Sequence, residues 1–287
     1  MTALLLGALG LTLSLVVPGI LARAAWPDRA PIAAVVLWQA ITLAGVLCAL
    51  GVVLAAPEEL VRAAGAGQPV ATAALIGALV VAAVIVIRLL VSLAGVSHRS
   101  RARRERHRTL VDLLDRVDRR RSFDVDGLRV LDGPLPVAYC VPGRSPRVVL
   151  SGPALDVLDD EQVAAVLAHE QAHLRHRHEV VMESFTAFYQ AVPPPLRSRA
   201  PLDAVQLLLE MVADDAARRR CGAGTLRSAL AALSDGDDRR LDRLSRPPAR
   251  STGLSALVAV AAAGLLVLPT VILVVPWLDR AVENWPL

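Results

Sequence analysis

The sequence predicts a multi-pass α-helical membrane protein with one α+β domain inserted between its third and fourth membrane helices. Three observations carry that prediction. The 287-residue chain is 54% hydrophobic and 20% charged, with a mean hydropathy of +0.50. Its apolar residues gather in four runs, 2–22, 32–56, 70–96 and 254–278, each as long as the roughly 20 residues a helix needs to cross a bilayer. The polar stretch between the third and fourth runs is long enough for one modest domain. This composition excludes a disordered, collagen-like or disulfide-stapled chain. Cys48, Cys140 and Cys221 are scattered and form neither a disulfide framework nor a C-x-x-C metal spacing.

The expected organisation follows from these runs. Residues 1–97 hold three membrane helices, 98–121 a basic juxtamembrane helix, 122–235 the inserted domain and 236–253 a polar linker. The fourth membrane helix is 254–278, and 279–287 form a short tail. Only Arg88 is charged within the runs, close enough to a run end to snorkel towards the interface. The first run lacks a basic leading segment and is too long for the apolar part of a cleaved signal, so it reads as a span. All 31 basic residues are arginine, and residues 98–121 carry ten of them against four acids. The positive-inside rule then places the inserted domain in the cytoplasm and both termini outside the cell membrane.

Residues 98–121 read as a helix with Leu110, Leu113, Leu114 and Val117 at helical spacing. No aromatic residues interleave its arginines, so the expected partner is the lipid bilayer and not nucleic acid. A strand pair is expected around Asp126-Gly127, then strands near 135–141 and 147–150. Asp159 and Asp160 offer an N-cap for a helix that would run from about 160 to Tyr189. Pro193-Pro194-Pro195 breaks it, and a second helix spans about 202–220.

The first of these helices carries His169-Glu170-Gln171-Ala172-His173, an H-E-x-x-H pattern. Residues i and i+4 of a helix share a face about 5–6 Å apart, so the two imidazoles can bind one Zn²⁺. Glu170 projects beside such an ion and can take a proton from the attacking water and deliver it to the leaving amine. A catalytic zinc needs a third protein ligand. The candidates are His176, His178, Glu179, Glu183, Glu210, Asp214 and Asp215. Glu210 is favoured because it lies on a separate helix that a turn can bring back. Asp214, four residues on, can accept the outer N–H of a ligand histidine, and Asp215 falls off that face and is expected in solvent.

LPVAYCVPG at 135–143, VVLS at 148–151, LAHEQAH at 167–173 and EMVAD at 210–214 together resemble the BlaR/MecR-type integral-membrane zinc peptidases. The resemblance extends to the layout, a gluzincin (zincin-like) domain between the third and fourth membrane helices. It implies His169, His173 and Glu210 as zinc ligands and Glu170 as catalytic base. It also implies regulated cleavage of a cytoplasmic protein, such as a transcriptional repressor. Family members that sense β-lactams carry an extracellular penicillin-binding domain after the fourth helix. Here 279–287 follow, so antibiotic sensing is not expected. HtpX-type membrane proteases look similar over the same elements but are expected to have two spans before the motif and apolar hairpins soon after it.

The expected activity is therefore that of a membrane-embedded zinc endopeptidase acting on a cytoplasmic protein. A peptide lying along the strand edge near Tyr139–Val141 would reach the site; Tyr139 could donate to the oxyanion there, but the favoured reading is an aromatic packed on the sheet. The competing expectations are an HtpX-type quality-control protease and a zinc-binding membrane sensor without catalysis. Intact Glu170 favours an enzyme, because structural zinc needs no base.

Overall fold

A computed structural model of the chain describes residues 1–115, 127–194, 197–233, 237–247 and 251–283. It divides into two compact units. The first comprises residues 1–93, 187–205 and 251–287, the second 94–186 and 206–250.

The first unit contains the apolar helices. A first span, Thr2–Leu21, is built from α1 (Thr2–Leu11), a π-helical turn (Thr12–Val16) and α2 (Val17–Leu21). The turn lies just ahead of Pro18, whose missing N–H and bulky ring disturb the regular ladder. Helix α3 (Pro31–Gly65) continues past the end of the 32–56 run, through Pro57 and Glu59, and leaves three residues before α4 (Pro69–Leu113). Helix α11 (Thr252–Glu283) contains the fourth span, Thr252–Pro276. These four helices are long and apolar enough to cross a membrane.

Small residues let α1 approach α3. A Cβ on Gly51 would fall 2.7 Å from Leu6 Cδ1, and Ala3, Leu6, Ala44 and Cys48 are fully buried. Trp38 is buried as well. Arg88 does not simply snorkel: its Nε donates to the Ala191 carbonyl at 2.6 Å, and Ser92 Oγ donates to the Ala187 carbonyl at 2.7 Å. An arginine in an apolar helix thereby satisfies a carbonyl at another helix's C-terminal end.

The second unit is built on a three-stranded sheet of order β1-β3-β2. Strand β1 (Leu128–Leu131) pairs parallel with β3 (Arg147–Ser151), and β2 (Ala138–Val141) pairs antiparallel with it. The expected hairpin at Asp126-Gly127 is replaced by this parallel pairing; Asp126 itself lies outside the described residues. Gly127 has φ +78° and passes so close to the Pro146 carbonyl that a Cβ would stand 2.5 Å from its oxygen.

Leu128, Val130, Val148 and Leu150 line one sheet face and meet Leu155 of α5 (Gly152–Val157) and Val163, Val166 and Leu167 of α6 (Asp160–Arg175). The alternate residues Leu131, Tyr139, Val141 and Val149 face the other way, around Val111 of α4. Val111, not the flanking leucines, is thus the core residue there. Leu110, Leu113 and Leu114 are exposed, and Val117 lies outside the described residues. Arg129 and Arg147 both donate to Asp112 at 2.9 Å, fixing α4 against the sheet.

Asp159 caps α6 by accepting from the Gln162 N–H, while Gln162 Oε1 accepts from the Asp159 N–H. This reciprocal box satisfies two otherwise unpaired donors. Asp159→Ala is expected to lower the stability of the second unit by about 1 kcal/mol. Thermal unfolding of the full chain in detergent checks it, and an unchanged midpoint would count against the box.

The expected single helix to Tyr189 is in fact two. It breaks at His176-Arg177, where Arg177 takes φ +52°, and resumes as α7 (His178–Ala191). Helix α8 (Ala200–Cys221) follows and ends at Gly222, φ +88°. Helices α9 (Ala223–Ala232) and α10 (Asp238–Ser245) complete the unit. Helix α10 lies in the stretch read as a polar linker and carries Arg240, only 4% exposed.

Candidate metal centre

Helix α6 presents His169 and His173 one turn apart, and α8 brings Glu210 to them. The Nε2 atoms of the two histidines are 3.1 Å apart. His169 Nε2 is 3.3 Å from Glu210 Oε2, and His173 Nε2 is 3.6 Å from Glu210 Oε1. Ligands about 2.0–2.1 Å from a tetrahedral ion stand about 3.3 Å apart, so this triangle has the edge lengths of three zinc ligands. These three residues form the metal-capable cluster found among the described residues.

The surroundings favour a cation. Glu170, Glu210 and Asp214 converge on the two imidazoles and Arg240. Burial alone would lower the pKa of His169, but Asp214 and Glu210 outweigh it and raise it to about 10. Burial would raise Glu210, yet hydrogen bonds from His169 and His173 hold it well below the usual carboxylate range. Asp214 is likewise held low against burial by His169 and Arg240. Glu170 is different: burial dominates and pushes its carboxyl up, against the pull of His169 and His173.

The outer ring nitrogens are held as well. Asp214 Oδ1 is 3.1 Å from His169 Nδ1. His178 Nδ1 is 2.9 Å from His173 Nδ1. Burial, together with His173 and His176, pushes His178 down to about 3, so its ring is neutral. A neutral His178 can accept the His173 Nδ1 proton, leaving the His173 Nε2 lone pair free for a metal. The break at Arg177 is what turns His178 back onto His173.

Among the other candidate ligands, His176 stacks on His178 at 5.8 Å between ring centroids, and Glu183 pairs with Arg104. Asp215 is not solvated as expected: it makes a bidentate ion pair with Arg243, at 3.0 and 2.7 Å. Tyr139 sits on the sheet face away from α6, its hydroxyl 3.1 Å from His107 Nε2, so it is a packed strand residue and does not join the centre. Burial raises its phenol.

Sequence reasoning missed Arg240. Its Nε donates to Asp214 Oδ2 at 3.0 Å and its Nη2 to Oδ1 at 2.8 Å, while Nη1 lies 3.3 Å from Glu210 Oε2. One guanidinium thus braces both Glu210 and Asp214 of α8. The available signal was Leu241 and Leu244 spaced as a helix face in an otherwise charged stretch, with Asp237 as cap.

Cys140 of β2 lies on the opposite sheet face from Tyr139. Burial, and then the nearby Glu170 carboxylate, push its thiol up, so it stays protonated. A cavity of about 200 Å³ beside His173 and Glu210 is lined by Cys140, Pro142, Met182 and Leu209, among others.

The site joins an H-E-x-x-H pattern on α6 to a glutamate of α8. Residues 98–214 match peptidase family M48, a segment that holds the sheet, α6, α7 and α8 as far as Asp214. Comparison with curated proteins and with solved structures found no match. The family match and the cluster together indicate a metal-dependent peptidase, a hydrolase, with four apolar helices that suggest membrane association.

Proposed function

We propose that the chain is a membrane-embedded zinc endopeptidase of the BlaR/MecR type, cleaving a cytoplasmic protein such as a transcriptional repressor in regulated proteolysis. The carrying observation is the triangle of His169, His173 and Glu210 atoms at 3.1–3.6 Å, with Glu170 buried beside it. His169, His173 and Glu210 hold Zn²⁺, and Asp214 and His178 orient the two imidazoles. The ion supplies Lewis acidity towards the scissile carbonyl and the attacking water. Glu170 accepts a proton from that water and returns it to the leaving nitrogen. Its raised pKa suits both halves of the task, because a carboxylate of ordinary pKa is a weak donor near neutrality. The cytoplasmic placement of this domain, with N- and C-termini outside, rests on the arginine-rich start of the second unit.

The test uses full-length protein in detergent. Native protein should hold about one zinc per chain and cleave an unfolded test protein. A chelator should abolish cleavage and zinc restore it, and His169→Ala should hold no zinc. Native protein that binds no zinc would sink the proposal. His178→Phe should weaken zinc binding by about 10–100-fold in chelator competition while leaving one site per chain. An unaltered affinity would remove His178 from the centre's support.

An HtpX-type quality-control protease is the second reading. It is favoured by the grouping of residues 187–205, soon after the motif, with the apolar helices, and by the Arg88 and Ser92 bonds that fasten α7's last turn to α4. Three candidate spans ahead of the motif favour the first.

A further inference from the structure

We infer that the cavity beside the metal ligands is a subsite for a basic side chain of the peptide substrate, selected by Glu179. This rests on the peptidase reading above. The cavity opens beside His173 and Glu210 and has a volume of about 200 Å³. A cavity of about 150 Å³ accommodates benzene, so this one has room for a long side chain. Pro142, Met182 and Leu209 give it apolar walls, and Glu179 adds a carboxylate.

That carboxylate is the uncommitted charge. Glu210 faces His169, His173 and Arg240. Glu183 is paired with Arg104, and Asp214 with Arg240. Glu179 has no ion pair among the described residues. Glu179 lines this cavity together with Cys140 of β2.

Arginine and lysine combine an apolar stem with a cationic tip. The stem buries against Met182 and Leu209, and the tip meets Glu179. A leucine would fill the walls but leave the carboxylate unanswered, and a glutamate would be repelled. Strand β2 lies at the edge of the described sheet, so a substrate can pair along it and send alternate side chains to the Cys140 face.

The experiment measures fluorescence anisotropy with labelled peptides identical except for one central Arg, Leu or Glu. The receptor is the zinc-loaded, full-length Glu170→Gln protein, which should bind without cleaving. The Arg peptide should bind at least about 10-fold tighter than the Leu peptide, and the Glu peptide weakest. Adding Glu179→Gln should erase the Arg–Leu difference, and Glu179→Arg should move the preference to the Glu peptide. A Leu preference indifferent to Glu179→Gln would overturn the subsite, as would binding of no peptide. Mapping cleavage by the protein with native Glu170 separates the two claims. Cleavage without enrichment of basic residues sinks the subsite and leaves the peptidase. Selective Arg binding without any cleavage sinks the peptidase and leaves the subsite.

Discussion

Glu170→Gln is expected to abolish cleavage while leaving the metal in place. Glutamine keeps the volume and one hydrogen-bonding oxygen but cannot accept the water's proton. Proton transfer by a positioned side chain contributes about 10²–10⁴-fold, and here one carboxylate serves both directions, so the loss should reach the upper part of that range. Zinc should remain at about one per chain, since His169, His173 and Glu210 are untouched. Stability should hold or rise. Glu170 is 8% exposed and burial pushes its pKa up, so its charge opposes folding and a neutral isostere removes that cost. Metal analysis, thermal unfolding and a cleavage assay on one preparation check all three. Near-native cleavage would exclude Glu170 as the base. Loss of zinc together with activity would make it part of the metal's support instead.

Much of this was legible in the sequence because the signals are local. Membrane runs are contiguous, and the spacing of His169 and His173 is a property of a single helix turn. Asp159 as a helix cap is likewise a short-range signal. Glu210 could be favoured because a broken helical hairpin returns one helix to another. What was not legible depends on the backbone departing from a periodic pattern or on long-range pairing. Nothing in Leu174–Glu179 announces that Arg177 adopts a left-handed conformation, yet that residue decides whether His178 continues a helix or turns back to His173. The parallel pairing of β1 with β3 needs a crossover, which alternation within either strand cannot reveal. Leu110, Leu113 and Leu114 follow the helical period as well as Val111 does; only the position of the sheet selects Val111.

Arg240 shows how a charged stretch hides a structural residue, and its replacement has the second large expected effect. Asp214 is 1% exposed and takes two hydrogen bonds from this one guanidinium. Arg240→Met removes them and leaves a buried carboxylate facing His169 alone. Removing one partner of a buried ion pair costs about 3–5 kcal/mol, far more than the pair itself is worth against apolar replacements. Arg240→Met should therefore lower the unfolding midpoint markedly. It should also weaken zinc binding by about 10-fold or more, because Glu210 and the Asp214–His169 contact both lose their brace. Arg240→Lys should recover only part, since a point charge cannot reproduce the two-pronged contact. The pair Asp214→Asn with Arg240→Met separates the two roles. It eliminates the buried charge, so stability should return towards native. Asparagine holds no negative charge on the His169 ring, so zinc affinity should stay low. If Arg240→Met unfolds and binds zinc as the native protein does, Arg240 is a bystander. If the double replacement restores zinc affinity along with stability, its contribution to the centre is through folding alone.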